Sequence, residues 1–118
     1  MTLSEIAIIP VREVEKDVKK KRLMKIFSDN ELRYCFRFKN SSVHLAGKLA
    51  AKKASIKILR KIIGQNYAPR DIEIINLRSG KPVIVLGKKE QNKNPEISLS
   101  ISHTKDIAVA LCTANANV

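Results

Sequence analysis

The spacing of apolar positions changes period several times along the chain. Between Leu3 and Val11 the residues Ile6, Ile8, Ile9 and Val11 are β-branched, and Pro10 suits a strand end or edge, so the segment predicts a first strand. Over Glu13–Phe27 the period becomes helical, with Val14, Val18 and the group Leu23, Met24, Phe27 at three- and four-residue spacing. Ser28-Asp29-Asn30-Glu31 has the S-x-x-E form of a capping box and predicts a short helix carrying Leu32 to Cys35. A long helix follows, roughly Ser42 to Ile63, closed by Gly64.

Beyond it the pattern turns extended. Asp71 to Leu77 alternates through Ile72 and Ile74, Ser79-Gly80-Lys81-Pro82 is a turn signal, and Val83 to Leu86 reads as the returning strand. Lys88 to Pro95 is a polar loop. Ile97, Leu99 and Ile101 alternate with Ser98, Ser100 and Ser102, a half-buried strand, and His103-Thr104-Lys105-Asp106 turns the chain into Ile107 to Cys112. A strand, then helices, then hairpins predicts an α+β fold: helices on one face of a largely antiparallel sheet.

At 118 residues this is the length of one domain, 1–118, able to bury a core unaided. Its apolar runs are far shorter than the roughly 20 residues of a membrane helix. Glu5 and Arg12 interrupt the first apolar stretch, so no secretory leader is read there. Cys35 and Cys112 cannot build a disulfide framework, and no Cys/His cluster has zinc spacing. A cytoplasmic protein without a resident metal is the expectation.

Charge narrows the partners. Lys and Arg number 23 against 11 Asp and Glu, a formal net charge of +12, so an anion is expected: nucleic acid, a phosphorylated small molecule or an acidic protein. Of five aromatics, four (Phe27, Tyr34, Phe36, Phe38) lie close together and read as core, which argues against a stacking platform for single-stranded nucleic acid. Non-specific nucleic-acid binding then rests on charge alone.

The long helix is the most informative segment. From Lys39 to Arg70 there is no acidic residue, while Lys48, Lys52, Lys53, Lys57, Arg60 and Lys61 crowd one another at four-residue spacing. Each such like-charge pair costs a helix roughly 0.2–0.5 kcal/mol. Either this is a phosphate-binding face, or it is a solvated face relieved by carboxylates that the fold brings in. Lys52 falls in the gap of the apolar stripe Leu45, Leu49, Ile56, Leu59, Ile63, so it must snorkel outward or find an anion. Lys16, Lys19, Lys20, Lys21, Arg22 and Lys25 form a second basic cluster, solvated or docked on an acidic macromolecule. Ser102-His103-Thr104 ends a strand, where a turn presents polar groups.

Residues 28–34 (SDNELRY), 46–59 (AGKLAAKKASIKIL), 80–82 (GKP) and 97–104 (ISLSISHT) together resemble the holo-acyl carrier protein synthases, the small trimeric group of 4′-phosphopantetheinyl transferases. The resemblance runs from about Glu13 to Ala110. It implies transfer of the phosphopantetheine arm of coenzyme A to a serine of an apo acyl carrier protein, with release of adenosine 3′,5′-bisphosphate. It also implies homotrimers with sites between subunits. By the same resemblance Lys57 contacts the pyrophosphate, and Lys48 takes the place of an arginine. Lys52, Gly80, Lys81, Pro82, Ser102 and His103 join the coenzyme site. Lys16, Lys19, Lys20 and Arg22 dock the acidic carrier.

The family holds Mg²⁺ with an aspartate at the end of the first strand and a glutamate on the long helix. Pro10 and Lys53 stand at those two positions here. Mg²⁺ takes hard oxygen ligands, so neither residue can hold it. Lys53 can instead act as a fixed cation against phosphate, beside Lys57. Two expectations follow: a divergent transferase, or a homologue that binds coenzyme A or the carrier without transfer.

Overall fold

The computed structural model describes residues 1–16, 21–87 and 96–115. Strand β1 (Thr2–Pro10) leads into helix α1 (Val11–Glu15), α2 (Leu23–Ile26), α3 (Asp29–Cys35) and the long α4 (Ser41–Ile63). A 3₁₀ turn at Pro69–Asp71 precedes β2 (Ile72–Asn76), β3 (Pro82–Leu86), β4 (Ile97–His103) and β5 (Ile107–Asn115). This is the α+β fold expected. The strands form two sheets rather than one, ordered β1-β5-β4 and β2-β3, and every pairing is antiparallel.

Most boundaries fall within a residue of expectation, and the exceptions have local causes. The first strand ends at Pro10: the Val11 N–H still donates to Asp106 O, at 2.8 Å, in register with the ladder, but from Val11 the backbone is helical. In place of one helix over Glu13–Phe27 the described residues form α1 and α2, and α2 ends where Phe27 becomes extended (φ −113°, ψ 146°). The capping box holds in both directions: Glu31 N donates to Ser28 Oγ at 3.2 Å, and Ser28 N to Glu31 Oε1 at 2.8 Å. Gly64 closes α4 at φ 80°, a left-handed conformation that glycine adopts at little cost. The expected loop Lys88–Pro95 lies outside the described residues.

The core sits between α4 and the three-stranded sheet. Inward positions of β1 and β5 are mostly small (Ala7, Ala108, Ala110, Cys112, Ala114), which lets the helix approach closely. Gly47 shows how closely: a Cβ there would meet Ile101 Cγ2 at 3.1 Å. Leu45, Ala50, Ala54 and Ile58 complete the seam, each large aliphatic side chain contributing about 1.5–3 kcal/mol by burial. Of the clustered aromatics only Phe27 belongs to the core. Phe36 is exposed, while Tyr34 and Phe38 are half-buried and pack beside His44. Among the described residues no helix is long and apolar enough to cross a membrane.

Candidate functional site

Two of the basic residues of α4 turn inward, and each meets a different chemistry. Lys52 is fully buried. Its ammonium lies 2.6 Å from Glu31 Oε1 and donates to Ile26 O, Pro69 O and Ile72 O at 2.8–3.0 Å. The anion that this lysine finds is therefore a carboxylate of the same chain, and its three protons are committed. Burial pulls its pKa down while the Glu31 hydrogen bond holds it up. Glu31 in turn accepts from Ile74 N through Oε2 at 2.8 Å, tying α3 and α4 to β2. Lys52 thus positions the site, and the expectation that it contacts coenzyme is not met by a fully enclosed ammonium.

Lys48, one turn earlier, is almost as buried but lies beside a cavity. It donates to Ile74 O at 2.6 Å and to Asn76 Oδ1 at 2.7 Å, and its ammonium sits 4.7 Å from the centre of the Tyr34 ring. Desolvation lowers its pKa, against the opposing pull of Cys35 and Glu31. The same burial pushes the Cys35 thiol up to about 12, so that thiol stays protonated and inert.

The cavity, about 190 Å³, brings Lys48 together with Gly80, Pro82 and His103. Those four residues come from three places in the chain. Gly80 reaches it because the β2–β3 turn closes with Gly80 at φ 91°, Leu77 N donating to Lys81 O at 2.9 Å. Asn76 Nδ2 donates to Gly80 O at 3.1 Å, linking the turn to the residue that holds Lys48. Lys81 and Ser102 are exposed neighbours of this lining. Sequence reasoning passed over Tyr34, His44 and Asn76, which also line it. His44 stands four residues before Lys48, on the same helical face, and that spacing was the available signal.

A second cleft, about 370 Å³, lies between the short helices and α4, over a floor that includes Leu23, Phe27 and Leu49. Among the described residues, Lys16, Arg22 and Lys53 line it together with the carboxylate of Glu13. Lys19 and Lys20, expected to dock the carrier with Lys16 and Arg22, lie outside the described residues. Lys57 is exposed one turn beyond Lys53 and lowers the pKa of Glu5, whose main partner is Lys61 at 2.6 Å. Part of the basic face is thus relieved by carboxylates from elsewhere in the chain. Pro10 lines a different hollow from that of Lys53, with Arg12, Glu15, Lys105 and Asp106.

These residues do not fit a resident Mg²⁺. Pro10 offers no side-chain oxygen, Lys53 carries a cation, and among the described residues Lys16, Arg22 and Lys53 outnumber Glu13 in the cleft. Among the described residues, no group of three His, Cys, Asp or Glu could hold a metal ion.

Fold and site together define a small α+β protein with two basic hollows along one long helix, and comparison with known proteins sharpens that class. No family model matches the chain. A holo-[acyl-carrier-protein] synthase of Protochlamydia amoebophila is 33% identical over 108 residues, 87% of this chain and 88% of that protein. Among solved structures, a holo-(acyl-carrier-protein) synthase from Bacillus anthracis in complex with CoA (3′,5′-ADP) superposes with a TM-score of 0.76. It is 28% identical and covers 97% of this chain and 96% of its own. The Helicobacter pylori synthase in complex with coenzyme A gives a TM-score of 0.77 at 28% identity, covering 96% of this chain and all of its own. The chain belongs to the holo-[acyl-carrier-protein] synthase family.

Proposed function

We propose that this protein transfers the phosphopantetheine arm of coenzyme A to a serine of an acidic apo acyl carrier protein. The serine oxygen forms a bond to the pantetheine-side phosphorus, the bond from that phosphorus to the bridging oxygen breaks, and adenosine 3′,5′-bisphosphate leaves. The hydroxyl proton passes to a base. The observation that carries the reading is the cavity that gathers Lys48, Gly80, Pro82 and His103 from separate segments. Relatives at this similarity include synthases solved with coenzyme A, which places the same ligand chemistry within the family.

In this reading the coenzyme runs from that cavity toward the second cleft, across the face of α4. Lys53 and Lys57, one turn apart, meet the pyrophosphate. Lys53 supplies fixed positive charge where the family has a metal ligand, and no step runs through a bound ion. A fixed ammonium stabilises developing phosphate charge without reorganising, though it lacks the templating of a divalent ion. Lys16, Lys19, Lys20 and Arg22 attract the carrier, and a net charge of +12 supports fast encounter with an acidic partner.

The chain acts as one domain, 1–118, in the cytoplasm, with the acyl carrier protein of fatty acid biosynthesis as its partner. It assembles as a homotrimer. Ile6, Ile8, Leu111 and Ile107 are exposed on the sheet face away from α4, and Ile6 pairs with Leu111 across the ladder. An apolar face of that kind is what a subunit contact covers. The coenzyme-binding part is tested by calorimetry. His103→Ala is expected to weaken coenzyme A binding about tenfold, the worth of one charge-assisted hydrogen bond, with the fold unchanged. Unchanged affinity would remove this cavity from the reading.

A further inference from the structure

The cavity at Lys48 holds more than the segments that the family resemblance points to. His44 enters it from α4, with its ring centroid 5.6 Å from that of His103 on β4 and the two planes at 65°. Phe38 stacks on His44 at 3.8 Å and 18°, and Tyr34 meets it edge-on at 6.5 Å and 82°. These contacts fix the plane of the imidazole, so its nitrogens cannot swing freely away from the cavity. Among the described residues the titratable and charged groups lining this space are His103 from β4, Lys48 on the same helix and Tyr34 from α3, and the carboxylates of Glu31 and Glu73 act on Lys48 from beyond the lining.

A cavity whose described lining holds two imidazoles, an ammonium and no carboxylate suits an anion. Two ring N–H groups on either side of one phosphate can each reach a different oxygen at about 2.7–2.9 Å. We propose that His44 is a second phosphate-binding imidazole, which with His103 and Lys48 holds a phosphate monoester dianion and takes up a proton from solvent as the anion enters. The proposal rests on the coenzyme reading above: with the pyrophosphate at Lys53 and Lys57, the coenzyme's remaining phosphate, a monoester on its nucleotide, is the group left for this cavity. An imidazole that merely filled an aromatic cluster would need no such linkage.

The free protein is poised for it. Burial lowers the pKa of His44, and the charges of His103 and Lys48 lower it further. It is therefore neutral near pH 7, where an arriving dianion reverses the local charge and favours the protonated ring. Binding coupled to protonation weakens as pH rises. The effect is cleanest between pH 7 and 8, because the phosphate, with a second pKa near 6, is already dianionic there.

The test is calorimetric titration of the whole protein with adenosine 3′,5′-bisphosphate at pH 7.0, 7.5 and 8.0, for the natural chain and His44→Phe. Phenylalanine keeps the stack and loses the N–H. The expected result is an affinity that falls about tenfold per pH unit for the natural chain, one proton taken up per site by His44, and a nearly flat pH dependence for His44→Phe. Parallel slopes would overturn the proposal. Proton NMR gives a reading independent of the variant. The chain has two histidines, so the resonance missing from His44→Phe is that of His44, and its pKa is expected to rise on adding the nucleotide. A pKa unmoved by saturating ligand would overturn the role of His44 while leaving the coenzyme reading intact. No binding to either protein at any pH would overturn both.

Discussion

Lys52 illustrates how a residue read as surface chemistry becomes internal structure. Its place in the gap of an apolar stripe required an anion or an exit, and the fold supplies Glu31 from 21 residues upstream in sequence. No pattern within α4 could reveal that partner, because Glu31 lies on α3 and meets Lys52 only through tertiary packing. Removing one member of such a pair leaves an unpaired buried charge, at a cost of about 3–5 kcal/mol. Lys52→Met is therefore expected to lower the unfolding free energy by that amount in urea titration. Adding Glu31→Gln to it should recover part of the loss. A loss below about 1 kcal/mol would show that the pair is solvated. The four lining residues Lys48, Gly80, Pro82 and His103 were legible from short motifs, whereas Tyr34 and Asn76 were not, since each lies on an element whose facing depends on tertiary packing.

The elements themselves were largely readable. The capping box at Ser28, the left-handed stop at Gly64 and the serine alternation of β4 are local signals with local causes, and each holds in the structure. The division of the predicted helix into α1 and α2, and the separation of β2-β3 from the main sheet, were not readable, because pairing choices between distant strands leave no mark in period. Ser28 joins the two kinds of information: it caps α3, and its hydroxyl also hydrogen-bonds the Glu73 carboxylate on β2. Ser28→Ala removes both contacts. A stability loss of about 1–2 kcal/mol is expected, measured by urea denaturation with α3 otherwise intact. A loss of only a few tenths would mean that the cap is replaced by water and that the link to β2 carries no energy.

For the whole molecule, charge is the organising feature. A formal +12 includes Lys52 and Lys61, paired with Glu31 and Glu5, and cations that line two hollows, Lys16, Arg22 and Lys53 in one and Lys48 in the other. Family membership and this distribution meet in one claim: phosphopantetheine transfer in which Lys53, as proposed above, supplies fixed positive charge to the pyrophosphate. Pro10 and Lys53 make the claim specific to this chain. The direct measurement is the mass of an apo acyl carrier protein after incubation with this protein and coenzyme A, with Mg²⁺ and in excess chelator. The account predicts a gain of one phosphopantetheine in both conditions, reduced in both by Lys53→Ala. A gain abolished by chelator would contradict the role given to Lys53, and no gain in either condition would contradict the transfer itself.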